Sequence, residues 1–255
     1  MYSKCPKCGH ERAADAEIST DICPACGLVF SKYLKSRFGV PAAPGARANA
    51  PADEERTGIV AGTKALLLHV PEEVGVLAVY ARAGLLAALV VYGWKLAAMD
   101  IASWEIGSSL MHLPLLPIHE FGHILFRPFG EFMHLIGGSL LQVALPLAFG
   151  GIFLVKNRDP FSAAVMLWWS AVSVLDVAPY AYDAQAPQHV LLTGRTGDTG
   201  SHDFIDVLGM LGLLTRAQSV GYAIHRFGVV MLIVSIIWAG WIVWRQMQVR
   251  KAQGA

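Results

Sequence analysis

Four segments of this chain are long and apolar enough to cross a membrane as helices. A helix needs about 20 mostly apolar residues to span the roughly 30 Å hydrocarbon core of a bilayer. Such runs occur at about 76–100, 132–155, 160–182 and 221–244. Charged residues make up only 15% of the chain, against roughly 25% in soluble domains. The sequence therefore predicts a mainly α-helical, polytopic membrane bundle over residues 59–255.

A fifth apolar segment, at about 107–126, carries the motif H-E-x-x-H as His119-Glu120-Phe121-Gly122-His123. On a helix, His119 and His123 lie on the same face and can bind one metal ion together, and imidazole is a common ligand of Zn²⁺. Glu120 can act as the general base that takes a proton from water and passes it to a leaving amine. The alternative is a chance match in a histidine-containing helix. The apolar surroundings disfavour it, because ionisable groups there are usually functional.

Prolines limit the helix that carries this motif. Pro117 can begin a helix and Pro128 must end one, which leaves about ten residues, or roughly 15 Å of helix. That length is half the thickness of the bilayer core. We therefore expect a half-span or re-entrant segment beside four full crossings, which gives about four to five apolar segments in total.

A catalytic zinc ion needs a third protein ligand. Polar residues near the ends of the later apolar segments are the candidates, namely Asp176, Asp183, His202 and Asp203. We predict Asp183, because it follows directly on the 160–182 segment, where water must reach the metal. Asp176 and His202 are the alternatives. Asp203 is predicted to support His202 as its carboxylate partner, or else to begin a helix with it.

Further polar residues inside apolar segments can line the same site. Gln142 is predicted to hydrogen-bond the substrate or a zinc ligand, or else to pack as a satisfied amide. His112 precedes His119 by seven residues, so it can line the site or pack as an ordinary histidine. His134 is expected to be an ordinary packing residue.

All four cysteines of the chain lie in its first 26 residues. They form two C-x-x-C-G knuckles and are Cys5, Cys8, Cys23 and Cys26. Four thiolates at this spacing make a closed tetrahedral zinc site, and the segment 1–36 resembles a zinc ribbon. Because a closed site is structural, this head is expected to bind a partner protein and not to catalyse. The alternative is a pair of redox-active C-x-x-C motifs, which usually occur singly. The Pro- and Ala-rich stretch 37–58 is predicted to be a linker.

Basic residues favour one orientation in the membrane. Lys156 and Arg158 follow the segment 132–155, and the last segment is followed by Arg245, Arg250 and Lys251. By the positive-inside rule, both of these regions face the cytosol. The N-terminus lacks the apolar core of a signal peptide, so the cysteine head is expected in the cytosol as well. We expect an integral protein of the plasma (inner) membrane of a prokaryote.

The motif and its apolar context resemble the site-2 protease family of intramembrane zinc metalloproteases. The resemblance covers roughly residues 107–184. His119-Glu120-Phe121-Gly122-His123 matches the motif helix of that family, and Leu175-Asp176 corresponds to its L-D motif, with Val177 in the place of glycine. The resemblance implies a zinc ion at the two motif histidines, the motif glutamate as the base and an aspartate as the third ligand.

The sequence as a whole predicts a membrane zinc metalloendopeptidase with two zinc ions, one catalytic and one structural. Its substrate would be a membrane-anchored or membrane-adjacent protein or peptide at the lipid bilayer. The main rival is a non-enzymatic membrane sensor or scaffold whose zinc ribbon binds a partner, and a third interpretation is a metal transporter. A net charge of +1 gives no reason to expect a nucleic acid partner.

Overall fold

A computed structural model of the chain describes residues 4–11, 22–26, 28–30, 33, 61–71, 74–190, 194–197, 199 and 202–253. The chain divides into two compact units, Met1–Ile59 and Val60–Ala255. The linker predicted at 37–58 lies outside the described residues.

The first unit is organised around its four cysteines. Each knuckle is a tight turn closed by backbone hydrogen bonds, from Cys5 N to His10 O and from Cys23 N to Leu28 O, both at 2.9 Å. Gly9 has a φ of 73°, a conformation that side chains with a Cβ disfavour, so a glycine suits this turn. Phe30 packs on the buried Cys5 and Cys23. So small an apolar core cannot hold the unit together by itself, which fits a fold that depends on its cysteine cluster.

The second unit is helical, and no strand occurs in the part of the chain that the structure describes. Its α-helices are α1 (Val76–Ala97), α2 (His112–Phe126), α3 (Glu131–Val155), α4 (Pro160–Asp183), α5 (Asp203–Met210) and α6 (Ala217–Gln253). Short 3₁₀ turns lie before α2, between α2 and α3, and before α6. A short helix over 61–67 precedes α1.

Four of these helices are long and apolar enough to cross a membrane. They are α1, α3, α4 and α6, the last counted together with the turn that precedes it. The prediction of a mainly α-helical chain with about four segments able to span a membrane is confirmed by the length and composition of these helices. α2 has 15 residues, or about 22 Å of helix, which is shorter than the roughly 30 Å of a bilayer core.

The start of α2 corrects one expectation from the sequence. The helix begins at His112 and not at Pro117, which lies inside it. Pro114 falls in the first turn, where a backbone N–H has no partner within the helix and its absence costs nothing. Pro117 removes one helical hydrogen bond, which the flanking turns tolerate. As a result, His112 is on the same continuous helix as the motif histidines.

α4 is the central helix of the bundle. In its most apolar stretch 72% of the residues are buried, against 11% for α1, which faces the surroundings of the bundle. Trp168 of α4 donates a hydrogen bond from Nε1 to the carbonyl of Leu89 at 3.1 Å. Asp159 caps α4 by accepting from the backbone N and the Oγ of Ser162. A helix buried in this way can present polar groups to an interior cavity.

Candidate metal centre

His119, His123 and Asp203 converge on one point, and their potential ligand atoms all lie within 4.8 Å of one another. Oδ2 of Asp203 is 3.7 Å from His119 Nε2 and 3.3 Å from His123 Nε2. Ligands at 2.0–2.1 Å from a tetrahedral zinc ion are separated by about 3.3 Å. The spacing of the three groups therefore fits a single ion of that size.

The rings of both histidines are held by hydrogen bonds at their other nitrogen. His119 Nδ1 lies 2.8 Å from Gln142 Oε1, and His123 Nδ1 lies 2.7 Å from the carbonyl of His134. Because a carbonyl oxygen can only accept, each Nδ1 donates and each neutral ring directs its Nε2 lone pair at Asp203. Lone pairs that face a carboxylate oxygen repel each other unless protons or a cation lie between them. The donor set therefore suits a divalent cation.

Asp203 is the first residue of α5 and reaches the histidines from outside the spanning helices. Tyr180 of α4 donates from its hydroxyl to Asp203 Oδ2 and accepts from the Asp203 backbone N, each at 3.1 Å. Burial raises the pKa of Asp203, but without a bound cation the rings of His119 and His123, once protonated, donate to its carboxylate and hold that pKa well below its usual range. The carboxylate is thus ionised and fixed in direction.

Two adjacent glycines of α3 make room for the histidines. A Cβ on Gly138 would lie 2.6 Å from the Nε2 atoms of both His119 and His123. A Cβ on Gly122 of α2 would meet the backbone of Gly137 and Gly138. The absence of side chains at these positions allows α2 and α3 to approach closely, as the small residues of the Gly137-Gly138 pair lead one to expect.

The three groups lie on the wall of a cavity of about 750 Å³. Glu120 lines the same cavity beside the two histidines. Trp104 and Tyr180 form an aromatic side of the cavity, with ring centroids 6.0 Å apart. A space of this size holds a short peptide segment or a small molecule. The cavity thus combines a candidate metal centre, a free carboxylate and room for a substrate.

The structure does not bring Asp183 to the two imidazoles, and it places Asp203 there instead. Asp183 accepts from the backbone N of Gln188 at 2.9 Å and of His189 at 3.3 Å. Its carboxylate also lies 3.7 Å from His202 Nε2. Asp183 thereby ties both ends of the loop that follows α4 to the end of that helix. Asp203 follows this loop, so the contacts of Asp183 hold the segment that leads to Asp203.

Asp176 and His202, the alternative ligands, also lie outside the group of three. Asp176 accepts from His112 Nδ1 at 2.9 Å and from Gln142 Nε2 at 3.5 Å. Gln142 donates to the Ser173 carbonyl as well, at 3.1 Å. The Gln142 amide is therefore fixed so that its oxygen faces His119. His202 is buried and stacks on Tyr180, with ring centroids 4.3 Å apart.

Some residues of this site carry no signal in the sequence. His134, expected to be an ordinary packing residue, lines the cavity and pairs with His123 twice: its carbonyl accepts from His123 Nδ1, and its own Nδ1 donates to the His123 carbonyl at 2.9 Å. Tyr180 and Trp104 belong to no motif, and only the fold shows that they line the cavity. Asp203 was visible in the sequence as a partner of His202. Its direct approach to the histidines depends on how α5 packs.

A second group that can hold a metal ion lies in the first unit. The sulfur atoms of Cys5, Cys8, Cys23 and Cys26 lie within 4.8 Å of one another. Two pairs, Cys5 with Cys26 and Cys8 with Cys23, are each 3.8 Å apart. Sulfur atoms at about 2.3 Å from a tetrahedral zinc ion are about 3.8 Å apart. The geometry fits a closed four-cysteine site.

We compared the chain with protein-family models, with curated proteins and with solved structures, and none of them matches it.

Proposed function

We propose that this protein is a membrane-embedded zinc metalloprotease with a structural zinc site in its cysteine head. The observation that carries the proposal is the presence of Glu120 in the same cavity as the His119, His123 and Asp203 group. A site that only stores or passes a metal ion has little use for a free carboxylate next to its first ligand. A hydrolase needs one as a general base.

The residues of the chain divide the work of peptide hydrolysis among them. His119, His123 and Asp203 would hold the zinc ion. A bound zinc ion lowers the pKa of water and polarises a carbonyl group. Glu120 accepts a proton from the attacking water and delivers it to the amine that leaves when the C–N bond breaks. The Gln142 amide and the His134 carbonyl keep both histidines in the tautomer that binds a metal.

The surroundings of the cavity suggest the class of substrate. Apolar residues of α2 in and beside the motif are exposed on the surface of the bundle: Leu113, Phe121, Ile124 and Leu125. In a membrane these side chains face lipid, so the cavity is reached from within or beside the bilayer. We propose a membrane-anchored or membrane-adjacent protein segment as the substrate, unwound so that its backbone can reach the site.

We further propose that the cysteine head is a zinc ribbon in the cytosol that binds a partner protein. Free thiols persist in reducing compartments, and the basic residues after α3 and α6 favour a cytosolic side for these regions in a prokaryotic inner membrane. The likeness to site-2 proteases supports the proposal through the motif helix. The third ligand differs, because Asp203 takes the role that the L-D aspartate has in that family.

The proposal is tested with the purified protein in lipid nanodiscs. The probe is a mixed library of fluorescence-quenched peptides and single-span membrane segments. We expect Glu120→Gln to lower the cleavage rate at least a hundredfold, since general acid–base catalysis contributes about 10²–10⁴-fold. The zinc content should stay unchanged, because Glu120 is not among the ligands.

The matched control is Glu131→Gln, which removes an exposed carboxylate at the start of α3 outside the cavity. It should cleave at the wild-type rate. If wild type and Glu120→Gln cleave equally, or neither cleaves any probe, the protease proposal fails. A scaffold whose cysteine head binds a partner would then be the better interpretation.

A further inference from the structure

The two ends of the membrane unit differ in their number of cationic residues, and the cavity lies at only one of them. One end is formed by the start of α1, the turn between α3 and α4, and the end of α6. We call it the turn end. Arg82 of α1 and Asp159 of the turn form an ion pair there at 3.3 Å. Phe161, at the start of α4, packs with Ile242 of α6 at the same end.

The cavity lies at the opposite end, which we call the cavity end. There Ala181 of α4 packs with Phe204 of α5 and with Ala217 at the start of α6. The end of α1 is nearby, because Leu96 and Pro179 line one small pocket. Asp203 is at the start of α5, and His134 is only three residues into α3. The candidate metal centre is therefore displaced from the middle of the bundle towards this end.

More cations lie at the turn end than at the cavity end. The four-residue turn between α3 and α4 contains Lys156 and Arg158, and the last three turns of α6 contain Arg245, Arg250 and Lys251. The connections at the cavity end are poorer in cations. The connection 98–111 has neither lysine nor arginine, and the other three have one arginine each, namely Arg127, Arg195 and Arg216, while Lys95 lies in the last turn of α1. Because lysine and arginine in short loops favour the cytosolic side, the turn end is the cytosolic end.

The cavity reaches the surface at its own end. Ser108, in the connection before α2, lines the cavity and is exposed on the surface. Val190, in the loop after α4, also lines it and is 67% exposed. Asp176 also lines the cavity and is seven residues before the end of α4. Along α4, the cavity wall therefore lies within about 10 Å of this end of the bundle. Water and a peptide can thus enter from the cavity end without passing through the bundle.

We propose that the cavity opens to the extracytoplasmic face of the membrane, and that its substrate is a peptide segment of a membrane protein on that face. The substrate class rests on the protease function proposed above, whereas the side of the opening does not. A loop or tail that emerges from the bilayer outside the cell would enter between the 98–111 connection and residues 184–190, which follow α4. Segments on the cytosolic side would have no access to Glu120.

The side of the cavity is tested by labelling of full-length protein in membrane vesicles with a charged, impermeant maleimide. All natural cysteines are in the first unit, so Ser108→Cys and Asn157→Cys each add one thiol to the membrane unit. We expect Ser108→Cys to label at least tenfold faster in right-side-out vesicles than in inside-out vesicles, and Asn157→Cys to show the reverse. Wild-type protein corrects for labelling of the natural cysteines.

Labelling of both positions from one side, or the opposite pattern, would overturn the proposed orientation. The substrate class is tested in the same vesicles with charged fluorescence-quenched peptides. We expect cleavage that depends on Glu120 only when the peptide is added to right-side-out vesicles. Cleavage only in inside-out vesicles would overturn the inference. Absence of cleavage from both sides would overturn the protease function and the substrate class, while the labelling still decides the face.

Discussion

The cysteine cluster and the His119, His123 and Asp203 group are both arranged to hold a metal ion, but they are assembled in opposite ways. The four cysteines come from two local turns within 22 residues of sequence, and they would fill all four positions of a tetrahedral ion. The other group lies beside a cavity and combines two histidines from one turn of α2 with Asp203 at the start of α5, which is 80 residues after His123. A local site needs only its own turns, whereas a site joined across helices needs the whole bundle.

The broadest test of this comparison separates the two sites by metal content. We expect two zinc ions per wild-type chain, with one lost from the His119→Ala/His123→Ala protein and one from a protein with all four cysteines replaced by serine. Each site should lose its ion without affecting the other. Metal analysis of the purified proteins checks this. A single zinc ion, lost only with the cysteines, would contradict a metal centre in the membrane unit.

The second test asks which aspartate completes the membrane site. We expect Asp203→Ala to remove the ion from this site, because its carboxylate faces both histidines. Asp183→Ala should weaken binding only about tenfold, since Asp183 holds the loop and does not touch the ion. Zinc titration against a competing chelator distinguishes the two. Complete loss of zinc in Asp183→Ala, with retention in Asp203→Ala, would reverse the assignment.

The third test concerns the close approach of α2 and α3. Gly138→Ala places a Cβ where it would lie 2.6 Å from both Nε2 atoms, so we expect a loss of zinc affinity of at least a hundredfold at this site. Gly151→Ala in the same helix is the matched control, because nothing lies within 4 Å of the added Cβ. Circular dichroism should show equal helix content in both proteins. Equal zinc affinity in the two variants would speak against the geometry described.

The smallest expected effect is that of the hydrogen bond behind His119. Gln142→Ala leaves His119 Nδ1 without its acceptor, and outer partners of this kind are worth about 10–100-fold in metal affinity. We expect a loss in that range by the same titration. Gln246→Ala, which removes a buried amide of α6 outside the cavity, should leave zinc affinity unchanged. If the two variants behave alike, Gln142 is a packing residue.

Periodic and local features were readable from the sequence. The apolar runs predicted four spanning helices, since their length and composition alone match the bilayer, and the structure has four such helices. The two C-x-x-C-G knuckles place their ligands close together whatever surrounds them. The i, i+4 spacing puts His119 and His123 on one face of any helix. In each case a short stretch of chain contains all the geometry that the prediction needs.

The third carboxylate could not be read from the sequence. Asp176, Asp183 and Asp203 have similar local signals, each being an acidic residue near the end of a helical segment. They differ in what lies opposite them: His112 and Gln142 for Asp176, the backbone of the following loop for Asp183, and the two motif histidines for Asp203. Which carboxylate faces the imidazoles depends on how α5 packs against α3 and α4.

The sequence by itself determined that this is a helical membrane protein with one helix that carries paired histidines and a glutamate, and with a cysteine cluster in its first residues. The tertiary structure alone decided that Asp203 meets those histidines, that Gly138 leaves room for them, and that the cavity lies at the end of the bundle with fewer cations. The physical reason is the separation along the chain of the residues that determine each feature. Helix periodicity and knuckle turns are set by neighbours within a few residues, whereas a site joined across helices is set by packing between distant parts of the chain.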